Sequence, residues 1–210
     1  MGIIYLSGVG TDIKNQFSEV RYIGEVTGME IKNLNYNDYI TSGLSFSEVK
    51  KRVEEEYYRL NKDGEHIVAG FSLGGSMAIG LSSLIAPKAC IALAPLIIPA
   101  KPSFESDEYR TAAMKFANNP LALKRLYFGI RYGIEAMCKA EDITSPTLII
   151  QGEEDNRVSP HGASIIYDKI AGNIGSRYVR IGGVGHSIFS SENYRSEVLP
   201  LVGEYCKKLK

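Results

Sequence analysis

Cysteine is scarce and odd in number. Cys90, Cys138 and Cys206 are the three in 210 residues, and no C-x-x-C pair occurs. A redox dithiol and a zinc ribbon are therefore not supported, and a reducing, cytoplasmic setting is the simplest expectation. An excess of charge of either sign is missing too. Lys and Arg total 24, Asp and Glu total 24, and the formal net charge is zero. Binding to nucleic acid or an anionic membrane surface needs a basic surplus or patch, so no nucleic-acid partner is expected. The densest basic stretch, the terminal KKLK, suits a solvated helix end. No run of about 18 apolar residues is present, so no membrane span is expected. The opening MGIIYLSGVG lacks a basic n-region, which argues against a secretory signal. Histidine is limited to His66, His161 and His186, with no H-x-x-x-H pair, so no metal and no other cofactor is expected. No internal repeat or low-complexity linker breaks the chain.

What is present is an ordinary globular balance, 44% hydrophobic and 23% charged, long enough for one domain with an insertion. Strand and helix patterns alternate. Ile3–Gly8 is an apolar run closed by glycine. Asp12–Thr27 carries Ile13, Phe17, Val20 and Ile23 at helical spacing, with Gly28 as a C-cap. MEIKNLNY (29–36) alternates as a second strand. Ser47 precedes a helix whose Val49, Val53, Tyr57 and Leu60 share a face, closed by Gly64. EHIVAGFS, KACIALAPLII, SPTLIIQGEED and SRYVRIGGVGH supply four more strands, with a small-residue helix at LGGSMAIGLSSLI. Further helices are expected at about 160–171 and 191–209. The alternation predicts a three-layer α/β protein with a mostly parallel sheet of about six strands. Residues 101–142 exceed a normal crossover and predict a helical cap inserted into a core of 1–100 and 143–210. Met114, Phe116, Leu121, Leu126, Tyr127 and Phe128 are apolar enough to line a pocket, although most are expected in the insertion's own core.

The chemistry begins at GFSLGG, residues 70–75. It follows an apolar strand and opens a helix, the setting in which G-x-S-x-G is a nucleophile elbow. Ser72 would lie beyond the carboxyl end of its strand, where open parallel sheets bind ligands. The small residues would relieve crowding at a sharp bend, and the helix N-terminus would favour developing negative charge. A serine hydroxyl needs a base. His66 precedes Ser72 by six residues on one strand, about 20 Å away at the other end. His161 begins a helix and suits capping and packing. His186 follows the last strand in GGVGHSIF, at the correct end, and is the expected base. The orienting carboxylate should come from QGEEDNRV after the fifth strand: Asp155 first, then Glu154, with Glu153 a further candidate. The order Ser72, Asp155, His186 is the one expected after three separate strands. Oxyanion donors are expected from the N–H of Leu73 and of Val9, with Gly10 as alternative to Val9. A dinucleotide loop at GVG lacks the third glycine of its pattern, since position 13 is Ile.

On these residues, GFSLGG, QGEEDNRV, GGVGH and LSGVG, the chain resembles the α/β-hydrolase family over nearly its whole length. It looks most similar to small carboxylesterases and monoacylglycerol-lipase-like enzymes. The resemblance implies a serine hydrolase acting on a small-molecule acyl ester, with Ser72 as nucleophile, His186 as base, Asp155 as acid, and Val9 and Leu73 at the oxyanion hole. It also implies that the 101–142 insertion is the family's lid. Two features depart from the pattern. Ser7-Gly8 stands where relatives often carry His-Gly, and the two leading antiparallel strands of the full fold are not expected. A thioesterase or serine peptidase would share this site, and a non-catalytic binding protein could share the fold.

Overall fold

The computed structural model describes residues 1–8, 13–97, 119–189 and 192–210, excepting the side chains of 13–17, 122, 193 and 194. Six strands form one sheet: β1 (Gly2–Leu6), β2 (Ile31–Asn33), β3 (His66–Phe71), β4 (Ala89–Leu93), β5 (Thr147–Gly152) and β6 (Arg177–Ile181). The order is β2-β1-β3-β4-β5-β6, and every neighbouring pair is parallel. Parallel strands require crossovers that cover both faces, which is why β1, β3, β4 and β5 are buried along their whole lengths and read as unbroken apolar runs.

The helices are α1 (Ile13–Thr27), α2 (Asn37–Thr41), α3 (Phe46–Leu60), α4 (Leu73–Ile85), α5 (Pro120–Lys139), α6 (Pro160–Ile170) and α7 (Glu192–Lys208). On one face Ile4, Leu6, Val68 and Ile149 meet side chains of α3, α4, α5 and α6. On the other, Ile3, Tyr5, Ile67 and Ile150 meet Ile23 of α1 and Val198, Val202 and Tyr205 of α7. Among the described residues no helix is long and apolar enough to cross a membrane.

Two local expectations change. The cap of α3 is Ser45, not Ser47: the Ser45 side chain accepts from the Glu48 N–H while the Glu48 carboxylate accepts from the Ser45 N–H. A reciprocal box needs an acid three residues on, and Ser47 has Lys50 there. The second strand is only Ile31–Asn33, at the sheet edge. The chain turns at Tyr36 into the short α2, because Tyr36 is buried and its hydroxyl donates to the Ser7 carbonyl at 2.6 Å. The stretch expected as a cap contains α5, which packs along α4 and contributes Phe128, Tyr132 and Ala136 to the main core. Leu121 and Tyr127 of α5 are exposed and Leu126 is half-buried. Met114 and Phe116 lie outside the described residues.

One buried carboxyl leaves a pH signature. Glu19 on α1 accepts a hydrogen bond from the Tyr5 hydroxyl at 2.7 Å. Burial pushes its pKa up from 4.5 to about 7, against the downward pull of that hydrogen bond. Below pH 4.5 the carboxyl is protonated in both native and unfolded chains. Above it the unfolded chain ionises first, so stability falls until native Glu19 releases its proton near pH 7. The loss is on the order of 2–3 kcal/mol. In Glu19→Gln this loss is absent, so its melting temperature minus that of wild type should grow between pH 5 and 7.5, by roughly 4–12 °C. A difference independent of pH across that range, measured by circular dichroism, would contradict the assignment.

Candidate active site

The strand order reverses direction at β1, which lies between β2 and β3. Crevices open at such points beyond the carboxyl ends of the strands, and Ser72 sits there as the residue joining β3 to α4. Its backbone has φ 54° and ψ −119°, a left-handed conformation that costs a non-glycine residue about 1–3 kcal/mol. The bend is held on several sides. The Ser72 N–H donates to Leu93 O at 2.9 Å, and its carbonyl accepts from the N–H of Ser76 at 3.2 Å and of Leu96 at 3.1 Å.

The glycines around Ser72 have separate steric reasons. A Cβ on Gly70 would lie 2.1 Å from Gly74 O, and one on Gly74 would lie 2.0 Å from Leu6 O. One on Gly75 would lie 3.1 Å from Pro95 Cα. The first turn of α4 is therefore sunk between the ends of β1 and β4.

His186 and Asp155 reach Ser72 from two other loops. His186 Nε2 is 3.0 Å from Ser72 Oγ, and His186 Nδ1 is 2.8 Å from Asp155 Oδ2. The two loops are clamped together: the Glu153 N–H donates to Ile181 O at 3.0 Å and the Glu154 N–H to Val184 O at 3.1 Å. Gly152 permits this, since a Cβ there would lie 2.1 Å from Val184 O. Phe71 sets its ring 5.3 Å from the His186 ring and 5.7 Å from Phe189, walling the imidazole on one side.

Asp155 is surrounded by donors. Oδ1 accepts from the backbone N–H of Arg157 and Val158, each at 2.9 Å, and Oδ2 accepts from Gln151 Nε2 at 2.7 Å as well as from His186. Burial alone would raise its pKa. The His186 hydrogen bond and charge, with the two backbone amides, outweigh that and hold the carboxyl below its ordinary range. An ionised Asp155 can only accept, so His186 Nδ1 carries a proton and Nε2 presents a lone pair. Ser72 Oγ–H then donates to Nε2. That polarity suits removal of the hydroxyl proton.

The expected residues thus separate cleanly. Ser72, His186 and Asp155 come together as one hydrogen-bonded chain. Glu154 is exposed, and Glu153 pairs with Arg180 at 3.2 Å. His66 lies at the start of β3, bonded to Asn61 Oδ1 at 2.8 Å and Lys32 Nζ at 3.2 Å. His161 is exposed in the first turn of α6, its N–H capped by the Ser159 hydroxyl at 3.3 Å. Leu73 is the first residue of α4, where an amide has no partner within its own helix. Val9 and Gly10 lie outside the described residues. Among the described residues no cluster of three His, Cys, Asp or Glu could hold a metal.

Two further residues of the site carry no role that the sequence alone assigns them. Phe71 stands inside the elbow motif but reads there as a strand residue. Gln151 is the one polar residue ending an apolar strand, TLIIQG, and that is its available signal: a buried amide must find a partner.

No family model matches the chain, and no curated protein matches its sequence. Solved structures do match its fold. A monoacylglycerol lipase from Paleococcus ferrophilus superposes with a TM-score of 0.68 at 15% identity, over 99% of this chain and 94% of that one. A soluble variant of monoglyceride lipase from Saccharomyces cerevisiae, in complex with a substrate analogue, gives 0.72 at 16%, over 100% and 87%. Carboxyl esterase 2 from the mycorrhizal fungus Tuber melanosporum gives 0.68 at 16%, over 99% and 76%. The protein has the α/β-hydrolase fold.

Proposed function

We propose that this protein is a serine hydrolase that cleaves carboxylic esters through an acyl-enzyme on Ser72. The observation that carries the reading is the unbroken chain Ser72 Oγ–His186 Nε2, His186 Nδ1–Asp155 Oδ2, at 3.0 and 2.8 Å. It is joined to a serine held at φ 54° over a helix N-terminus. Backbone strain of this kind clusters at functional sites, and in this reading it presents the hydroxyl to the substrate. The fold neighbours that are lipases and esterases support the same class of chemistry.

In the first half-reaction Ser72 Oγ attacks the substrate carbonyl carbon as its proton passes to His186 Nε2. The carbonyl π electrons move to oxygen, and the resulting oxyanion is received by the amide N–H of Leu73 and, in this reading, of Val9. Asp155 stabilises the imidazolium without taking its proton. The tetrahedral intermediate collapses, the alcohol leaves with the proton from Nε2, and an acyl ester remains on Ser72. In the second half water loses its proton to Nε2 and adds to the acyl carbon. Collapse returns the proton to Ser72 Oγ and releases the acid. No cofactor takes part. The substrate is a small acyl ester.

A fluorophosphonate probe tests the assignment directly. Phosphonylation of Ser72, located by peptide mass spectrometry, is the expected result, with parallel loss of p-nitrophenyl ester turnover. An unlabelled Ser72 in folded protein would instead indicate a binding protein of this fold. Matched esters, thioesters and aminoacyl amides of graded length should be cleaved fastest as esters.

A further inference from the structure

Gln151 and His186 share one oxygen of Asp155. Gln151 Nε2 donates to Asp155 Oδ2 at 2.7 Å, and His186 Nδ1 donates to the same atom at 2.8 Å. Gln151 is fully buried. The end of the amide facing Asp155 must be the NH2, because an ionised carboxylate repels an amide oxygen. That orientation leaves Gln151 Oε1 buried with no hydrogen-bond partner among the described residues. A buried unpaired acceptor is unfavourable, and an apolar side chain following Leu148, Ile149 and Ile150 would avoid it. The amide is thus placed for its donor end alone.

We infer that Gln151 is a positioning residue for the ester hydrolysis proposed above: its N–H fills the second lone pair of Asp155 Oδ2 and fixes how that carboxylate shares the His186 proton. The inference rests on the serine-hydrolase reading for its effect on rate, although its structural part stands alone. Two donors on one oxygen, with two backbone amides on the other, spread the charge of Asp155 over four hydrogen bonds. Without the Gln151 donor, Oδ2 pulls harder on the Nδ1 proton. The imidazolium is then over-stabilised and gives its proton to the leaving alcohol less readily. Among the described residues few other charges reach this carboxylate. Glu153 is paired with Arg180, while Glu154 and Arg157 are exposed, as are His161, Asp168 and Lys169 of the adjoining α6.

The test compares Gln151→Met, which keeps the shape and removes the donor, with Gln151→Glu, whose O–H replaces the N–H only while protonated. In Gln151→Met, kcat for p-nitrophenyl acetate should fall about tenfold with KM within about twofold, and the acid limb of kcat/KM should move up by about one pH unit. In Gln151→Glu, the kcat/KM profile should gain an ionisation absent from wild type and from Gln151→Met, as the two facing carboxyls give up their shared proton. The low-field proton resonance of the His186 Nδ1–H bond should shift in Gln151→Met whether or not esters are turned over. A folded Gln151→Met with wild-type kcat, acid limb and resonance would overturn the role. A shifted resonance in a protein that shows no Ser72-dependent turnover would leave the Gln151 role standing and remove the hydrolase reading instead.

Discussion

Ser72→Ala should lower turnover of a p-nitrophenyl ester by on the order of 10⁴-fold or more while leaving the fold intact. Removal of a triad nucleophile has effects of that size because the acyl-enzyme cannot form and only oxyanion stabilisation and substrate binding remain. The fold survives because Ser72 is held through its backbone: its N–H is on Leu93 O, and its carbonyl is shared by Ser76 and Leu96. Alanine retains those bonds and the same strain. Ser72→Gly separates the two consequences. Glycine accepts φ 54° freely, so that variant should be more stable than wild type by about 1–2 kcal/mol and equally inactive. Activity by p-nitrophenol release and stability by urea titration read both quantities on the same samples. More than a few per cent of wild-type turnover in either variant would mean that another group attacks the carbonyl. An unchanged stability in Ser72→Gly would mean that the bend at Ser72 is not strained.

The second large effect is steric and sits at the start of the same helix. In Gly74→Ala the new methyl would lie 2.0 Å from Leu6 O and 2.6 Å from Ser7 O. Both are backbone atoms of β1 and its exit, bonded into the sheet and to Tyr36, so neither can swing aside. Either α4 lifts or β1 parts from β3, and the cost should reach about 3 kcal/mol or more. Lifting α4 also shifts Leu73, the proposed oxyanion donor, so activity should fall further than stability alone accounts for. Gly80 supplies the internal control. It lies in the same helix, and a methyl there would stand in open space. Gly80→Ala should stabilise by about 0.5–1 kcal/mol through helix propensity and reduced unfolded-state entropy. Opposite signs for one substitution at two positions of α4, measured by denaturant titration, are the expected outcome. Equal effects would contradict the close approach at Gly74.

Much of this architecture is legible in one dimension. Strands covered on both faces must be apolar throughout, so IIYL, HIVAGF, ACIAL and TLII announce themselves without any knowledge of their neighbours. The elbow is legible for a related reason: a strand, a serine among glycines and a small-residue helix are contiguous, and their steric demands are local. The positions of Asp155 and His186 follow from topology, because residues after parallel strands arrive at one edge of a sheet.

Other features depend on contacts between distant segments. Tyr36 ends the second strand early because its hydroxyl finds a carbonyl 29 positions back in the chain. The choice of Asp155 over its acidic neighbours depends on His186, 31 residues later, and on the direction in which a short turn aims each carboxylate. Ser45 rather than Ser47 caps α3 for a local reason, since the box with Glu48 is already written in the chain. Periodicity and local sterics thus settle the layers, the bend at the serine and the three loops able to carry chemistry, and all of these can be read before folding is considered. Which side chains meet is a property of the folded molecule, because hydrogen bonds reach about 3 Å and their partners are chosen after the sheet has brought remote loops together.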